Sequence, residues 1–250
     1  MSAKPKVAFF DFACCEGCQL QIANLEENVV QLAGLVDVVE FREVLTGSAP
    51  EYDIAFIEGS ITRKADEERL KNIRSRSKLI VAYGQCAVTG GINRLKNRWQ
   101  TMDEVKKQVY GEHFNMPHLD TYRTKGIDEI VKVDLYIPGC PINRDEFLQI
   151  VKELLLGKTP RLPNFPVCVE CKLKENVCLF DTGITCLGPL ARAGCGAICP
   201  SNGAPCDACR GTVADPNKNA MHEILMKYNY TVAQIKNKID IFGVDPEVKK

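Results

Sequence analysis

The sequence predicts an α/β chain: a parallel sheet covered by helices on both faces, followed by a smaller region without regular periodicity. Three observations carry this. Short apolar runs alternate with helix-length segments through the first 160 residues, which is the pattern of strands and crossover helices. The runs are apolar on both faces, as strands buried in a parallel sheet are. After Lys158-Thr159-Pro160 the alternation fades, and Gly, Pro and Cys dominate to about Pro216. A stretch so poor in aliphatic residues needs another source of cohesion.

The elements follow in order. Val7 to Phe12 is the first strand. Cys18 to Leu32 reads as a helix with Leu20, Ala23, Leu25 and Val30 turned inward. Val38 to Val44 and Ile54 to Ile57 are the second and third strands, the third ending in Glu58-Gly59-Ser60. Ala65 to Ser75 is a charged, exposed helix. Leu79 to Tyr83 is the fourth strand, ending in Gly84-Gln85-Cys86. Thr101 to Tyr110 is helical. Val133 to Ile137 is the fifth strand, ending in Pro138-Gly139-Cys140. Asn143 stands three residues before Glu146, a capped start for a helix through Leu156. Helical character returns at Met221 to Tyr228.

A length of 250 residues accommodates one large domain with a smaller module; the texture change sets these at 1–160 and 161–250. Lys plus Arg and Asp plus Glu are both 32, so the net charge is zero. That argues against a basic nucleic-acid binder and against a polybasic membrane anchor. No run approaches the ~20 apolar residues of a membrane span. The opening MSAKPKVAFFDF reads as a strand rather than a signal peptide, and the expected location is the cytoplasm.

Thirteen cysteines are the main anomaly. In a reducing compartment such a count points to metal or catalytic use rather than disulfides. Cys14, Cys15 and Cys18 follow the first strand, Cys86 the fourth and Cys140 the fifth. Ligands of open α/β sheets bind outside the carboxyl ends of the strands, so Cys15, Cys18, Cys86 and Cys140 form a candidate four-ligand site. Cys18 lies at a helix start, where the dipole favours thiolate and free N–H groups could reach cluster sulfides. The competing reading makes Cys15 and Cys18 a thioredoxin-like redox pair, with Cys86 and Cys140 ordinary buried cysteines. It leaves the coincidence of strand ends unexplained. Cys14 is the leftover, a small residue beside a ligand or a substitute for Cys15.

The second region holds Cys168, Cys171, Cys178, Cys186, Cys195, Cys199, Cys206 and Cys209. Its two C-x2-C pairs look like halves of a zinc ribbon. Four more cysteines lie between them and no histidine does, which suits two iron–sulfur clusters on four thiolates each. Soft sulfur ligands permit either metal.

These residues resemble those of the small, electron-transferring subunit of [NiFe] hydrogenases of the cytoplasmic multi-subunit class. The resemblance rests on CEGC at 15–18, IEGSIT at 57–62, YGQCAVTGGI at 83–92 and YIPGCP at 136–141. It continues through PVCVECKLKENVC at 166–178 and CLGPLARAGCGAICPSNGAPCDACRG at 186–211. It implies a flavodoxin-like doubly wound domain, followed by a small irregular iron–sulfur domain. By motif position it places a proximal [4Fe-4S] cluster on Cys15, Cys18, Cys86 and Cys140. Order and spacing then give Cys195, Cys199, Cys206 and Cys209 to a medial cluster and Cys168, Cys171, Cys178 and Cys186 to a distal one.

Two departures separate the chain from the periplasmic uptake type. Cys168 stands where that type has a histidine. Cys199 stands where that type has a proline and a three-iron cluster. Both imply three [4Fe-4S] clusters. The implied partners are a large subunit carrying the Ni–Fe centre, which interconverts H2 with protons and electrons, and a further electron-transfer subunit of the flavin/NAD(P), ferredoxin-linked or heterodisulfide reductase type. No catalytic residue is expected here, since the chain has no Ni-binding C-x2-C pairs at its two ends, and no GxGxxG follows a strand. A complex I-type subunit shares the sheet domain and a tandem-cysteine site but normally lacks the eight-cysteine extension. A zinc-binding structural module is the other alternative. FFDFACC and the loop Gly84 to Ile92 are candidates for a partner-binding face, with Phe9, Phe10 and Phe12 read alternatively as core. His113, His118 and His222 read as surface residues.

Overall fold

The computed structural model describes residues 4–242 except 113, 115, 116 and 119. His113 therefore lies outside the described residues, while His118 and His222 are exposed. The chain divides into two compact units, 1–137 and 138–250.

The first unit runs β1 (Lys6–Asp11), α1 (Gly17–Ala23), α2 (Glu27–Leu35), β2 (Asp37–Phe41), β3 (Tyr52–Glu58), α3 (Lys64–Ser75), β4 (Ser77–Tyr83), α4 (Gln85–Thr89), α5 (Met102–Tyr110) and β5 (Leu135–Ile137). The five strands form one sheet in the order β2-β1-β3-β4-β5, every pairing parallel. This is the flavodoxin-like order, as the sequence motifs implied. The direction of winding reverses between β1 and β3, and ligands of such sheets sit beyond the carboxyl ends there. In the β1–β3 register, Asp11 lies opposite Glu58 at that end.

The strands are apolar on both faces because both are covered. Ala8, Phe10, Ala55, Ile57, Ile80 and Ala82 share one buried cluster. On the other face Phe9 stacks on Phe56 at 4.9 Å between ring centres, and the Tyr83 ring meets Phe56 edge-on at 5.9 Å. Phe9, Phe10 and Phe12 are all buried, so the core reading of these side chains holds and they do not form a partner-binding face. Each fully buried ring contributes on the order of 1.5–3 kcal/mol.

The helix expected over Cys18 to Leu32 is two helices. The chain breaks between α1 and α2, where Glu26 takes φ 54°. The inward side follows the i, i+4 spacing of Cys18 and Ile22, with Leu25 buried just beyond α1. Leu20 and Val30, expected inside, are 46% and 75% exposed. The expectation failed because neither Gly nor Pro marks the break. The α5 expectation holds: Thr101 accepts the Glu104 N–H and Glu104 reaches back to the Thr101 N–H, closing a capping box.

Helix α3 is less exposed than its charge suggested. Leu70, Ile73, Asp66 and Glu67 are buried. Glu67 accepts from Lys125 at 2.7 Å, Tyr122 at 2.8 Å and Lys64 at 3.0 Å. The Lys125 and Lys64 ammonium groups and the Tyr122 hydroxyl lower its carboxyl from 4.5 to about 2. A carboxyl lowered in the folded state stabilises above its unfolded value, and that contribution fades as pH falls through the folded one. Glu67→Gln is therefore expected to lower the melting temperature at neutral pH. The gap to the parent chain should narrow as pH drops below 4.5 toward about 2; a gap constant across that range in thermal scans would refute the linkage.

The second unit contains α6 (Arg144–Leu155), α7 (Val167–Leu173), α8 (Ile198–Ser201), α9 (Lys218–Lys227) and α10 (Val232–Ile241). Asn143 accepts the Glu146 N–H at 2.9 Å and caps α6. The core of this unit joins Val167, Phe180, Leu187, Leu190, Cys186 and Cys206 to Met221, Leu225 and Ile235 of α9 and α10. Tyr228 stacks on Phe180 and its hydroxyl donates to Asp181, while the Tyr230 hydroxyl donates to the Gly183 carbonyl. Lys238 donates to the Thr185 carbonyl at 3.2 Å. The tail thus clasps the loop between Cys178 and Cys186. Among the described residues, no helix is long and apolar enough to cross a membrane.

Candidate functional site

The carboxyl edge of the first sheet is fastened before it carries any thiol. The Phe12 N–H donates to the Glu58 carbonyl at 2.9 Å, and Ala13 and Ser60 exchange main-chain bonds at 3.0 and 3.1 Å. Asn93 donates to the Ala13 carbonyl at 2.7 Å and to the Ser60 hydroxyl at 3.0 Å. The exits of β1 and β3 are therefore zipped together, with the loop after α4 laid across them.

On this edge Cys18 is buried in the first turn of α1, and Cys15 is exposed. Glu58 is 2% exposed. Its two carboxylate oxygens accept the N–H groups of Cys18 at 3.1 Å and Gln19 at 3.0 Å. The N–H groups expected to be available for cluster sulfides are thus held by Glu58. Burial raises the Glu58 carboxyl above its ordinary value, against the N–H groups of Cys18 and Gln19 and the Cys18 thiol, which favour the anion. Cys14 accepts the Glu16 N–H, and burial together with the neighbouring Glu58 and Cys86 pushes its thiol up to about 12. Cys86 sits in the first turn of α4. Gly91 has φ +51°, and a Cβ there would lie 2.9 Å from the Cys86 sulfur. Cys140 belongs to the second unit.

In the second unit the thiols fall into neighbourhoods. Burial pushes Cys168 up to about 12, and Cys186, Cys171 and Cys178 beside it oppose its ionisation further. Burial and Cys195 raise Cys199. Burial raises Cys206, with Cys186, Cys209 and Cys195 as its thiol neighbours. Cys209 is raised to about 11 by burial, with Cys195, Cys199 and Cys140 nearby. Cys168 thus lies near Cys171, Cys178 and Cys186, and Cys209 near Cys195 and Cys199, while Cys206 has thiol neighbours on both sides, Cys186 as well as Cys209 and Cys195. A Cβ on Gly188 would stand 3.2 Å from the Cys168 sulfur and 3.5 Å from that of Cys186.

These surroundings fit iron–sulfur groups. No cysteine is in a disulfide. Crowded, buried thiols resist ionisation as protein groups, and a bound metal is what deprotonates such ligands. Among the described residues no three Cys, His, Asp or Glu side chains form a site for a metal ion. The buried Tyr83 hydroxyl and the Gln19 side-chain amide have no hydrogen-bond partner among the described residues. Both lie in the same stretch of structure as Cys18, and buried polar groups of this kind are normally matched.

Sequence reasoning missed two residues that organise the thiols. Glu170, inside the Cys168–Cys171 pair, accepts the Gly194 N–H at 2.8 Å and the Ala197 N–H at 3.1 Å, which pins the loop carrying Cys195. Arg210, next to Cys209, is 3% exposed and bonds to Ala193, Pro138 and Glu146. Their placement directly beside cysteines was the available signal. Asn176 also donates to the Cys171 sulfur at 3.6 Å and to the Ser201 hydroxyl at 2.9 Å.

Residues 15–154, more than half of the chain, match the family described as NADH ubiquinone oxidoreductase, 20 Kd subunit. The chain is 33% identical over 222 residues to sulfhydrogenase 2 subunit delta of Pyrococcus furiosus, covering 88% of this chain and 92% of that one. To a subunit of the vhu F420-non-reducing hydrogenase of Methanococcus voltae it is 34% identical over 242 residues, covering 84% and 83%. A chain of an NAD+-reducing [NiFe]-hydrogenase in the H2-reduced state superposes with a TM-score of 0.58 at 29% identity, covering 64% of this chain and 96% of that one. The fold alone is shared with a chain of the actinobacterial-type NiFe-hydrogenase of Ralstonia eutropha H16, at a TM-score of 0.61, 16% identity and 99% coverage of this chain. With its sheet order, its strand-end cysteines and these relatives, the chain belongs to the small-subunit family of [NiFe] hydrogenases, oxidoreductase subunits whose catalytic site lies in a partner large subunit.

Proposed function

We propose that this chain relays electrons through three [4Fe-4S] clusters between the Ni–Fe site of its large subunit and a further electron-transfer subunit. The observation that supports it best is the crowding of thiols in the second unit, Cys168 near Cys171, Cys178 and Cys186, and Cys209 near Cys195 and Cys199. Cys168, Cys171, Cys178 and Cys186 would hold the distal cluster, and Cys195, Cys199, Cys206 and Cys209 the medial one. Cys15, Cys18, Cys86 and Cys140 would hold the proximal cluster, an assignment supported by motif position and by the strand ends they follow. Bound clusters supply one-electron carriers whose potentials depend on hydrogen bonds to sulfur and on burial. The chain's own part is to hold the sulfurs, limit water around them and aim N–H groups at them. The further partner is a flavin/NAD(P) subunit, a ferredoxin-linked module or a heterodisulfide reductase. Thirteen cysteines without a disulfide suit the reducing cytoplasm.

The test is metal content. The complex, purified without oxygen, is expected to hold about twelve irons and as many sulfides per copy of this chain beyond those of its partners, following the four-thiolate rule. Stoichiometric zinc with little iron would sink the reading. Cys199→Ala is expected to remove one iron from the medial cluster, seen as conversion of its reduced EPR signal, while the other two signals persist. An unaltered medial signal would reject Cys199 as a ligand.

A further inference from the structure

Arg210 joins three segments of the second unit, and each carries a cysteine of the relay. Nε donates to the Ala193 carbonyl at 2.9 Å, and Nη1 donates to the Pro138 carbonyl at 3.0 Å. Nη2 donates to both carboxylate oxygens of Glu146, at 2.7 and 2.8 Å. Ala193 stands two residues before Cys195 and Pro138 two before Cys140, while Cys209 directly precedes Arg210. The segments meet beside their cysteines: the Cys140 backbone lies close enough to the Cys209 thiol to favour its anion. On the relay reading Cys140 and Cys209 fall in different ligand sets, so this approach runs from one set to the next.

The pairing is not explained by stability. Arg210 and Glu146 side chains are 3% and 12% exposed, and burying such a pair is often no better than an apolar pair of the same volume. What a planar guanidinium supplies is direction. Its donors leave in fixed orientations, which a lysine cannot reproduce. Here they lock two carbonyls and one helix side chain around the cation.

We propose that Arg210 is a positioning residue for electron transfer: it seats the Pro138–Cys140 turn against Cys209 and so sets the coupling between the groups those two cysteines hold. This rests on the relay reading above. A second approach between sets supplies an internal reference. The Cys206 N–H donates to the Cys186 sulfur at 3.2 Å, linking the medial and distal sets without Arg210.

The experiment uses the intact hydrogenase complex, with the parent complex measured first. About twelve irons and three reduced-cluster signals there uphold the relay; their absence is a failure of that reading and not of this one. Arg210→Ala and Arg210→Lys are then expected to retain parental iron and sulfide. The spin–spin interaction between the clusters of Cys140 and Cys209 should weaken. Reduction of the medial cluster by H2 in rapid-freeze EPR should slow roughly tenfold or more in Arg210→Ala, since displacement of order 1 Å at a reacting contact has effects of that size. Arg210→Lys keeps a charge opposite Glu146 and loses the fork, so its slowing should be smaller. The interaction across Cys206 and Cys186 should stay at its parental value in both. Where Arg210→Ala fails to assemble, Arg210→Lys decides by the same readouts. Parental coupling and rate in the variants that assemble would overturn the proposal, and so would loss of iron in Arg210→Lys.

Discussion

A Glu58→Ala chain is expected to lose about four irons, those held with Cys18, while the clusters of the second unit remain. Glu58 is the acceptor for the first two N–H groups of α1 beyond Gly17, those of Cys18 and Gln19. Cys18 and Gln19 are buried, so water does not replace the lost carboxylate. An orphaned buried donor costs about 1–3 kcal/mol, and two are created at once. The turn that presents CEGC is then free to unwind from β3. Glu58→Gln keeps one accepting oxygen in place of two and should retain iron to an intermediate degree. Iron analysis, the EPR signals and thermal melting of the purified complex check this; full iron in Glu58→Ala would show that the turn holds without its buried acceptor.

Gly91→Ala should empty the same site from the opposite side. A Cβ at residue 91 would lie 2.9 Å from the Cys86 sulfur and 3.0 Å from both its Cα and its N. Two of these three atoms are main chain, so a rotamer change of Cys86 does not relieve the clash. The positive φ adds a backbone penalty of about 1–2 kcal/mol for a residue with a side chain. A control separates the two effects. Gly157 has φ +69° with nothing within 4 Å of the place an alanine methyl would take, so Gly157→Ala carries backbone strain without a clash. The expected outcome is a small loss of melting temperature for Gly157→Ala with parental iron, and loss of about four irons for Gly91→Ala. Equal iron in the two variants would show that Cys86 does not depend on the space at residue 91.

The strands were legible because burial on both faces leaves continuous apolar runs such as Val7 to Phe12 and Leu79 to Tyr83. The order of the strands was not in those runs; it came from the motifs CEGC, YGQC and PGC and the family they resemble. Glu26 shows the limit for helices. It breaks α1 from α2 at φ 54°, yet glutamate favours helices in general and nothing local announces the break. Glu58, Glu170 and Arg210 show the limit for the site. Apart from the Arg210–Glu146 pair, their partners are mostly main-chain groups far along the chain, 40 residues away for Glu58 to Cys18 and 72 for Arg210 to Pro138. A sequence pattern displays side chains, whereas nearly every residue carries the same N–H and C=O, so such pairings leave no mark in composition or period. The cysteines stand out in the sequence because their type is rare and their spacing is chemical.

The tail has a consequence for biosynthesis. The polypeptide grows from its amino end, so all thirteen thiols emerge from the ribosome before α9 and α10 do. Met221, Leu225 and Ile235, which pack with Cys186 and Cys206, are translated after the sulfurs they cover. Until they dock, the loop after Cys178 lacks Tyr228 and Tyr230, which grip it in the folded chain. Translation order thus makes these sulfurs before the residues that pack against them.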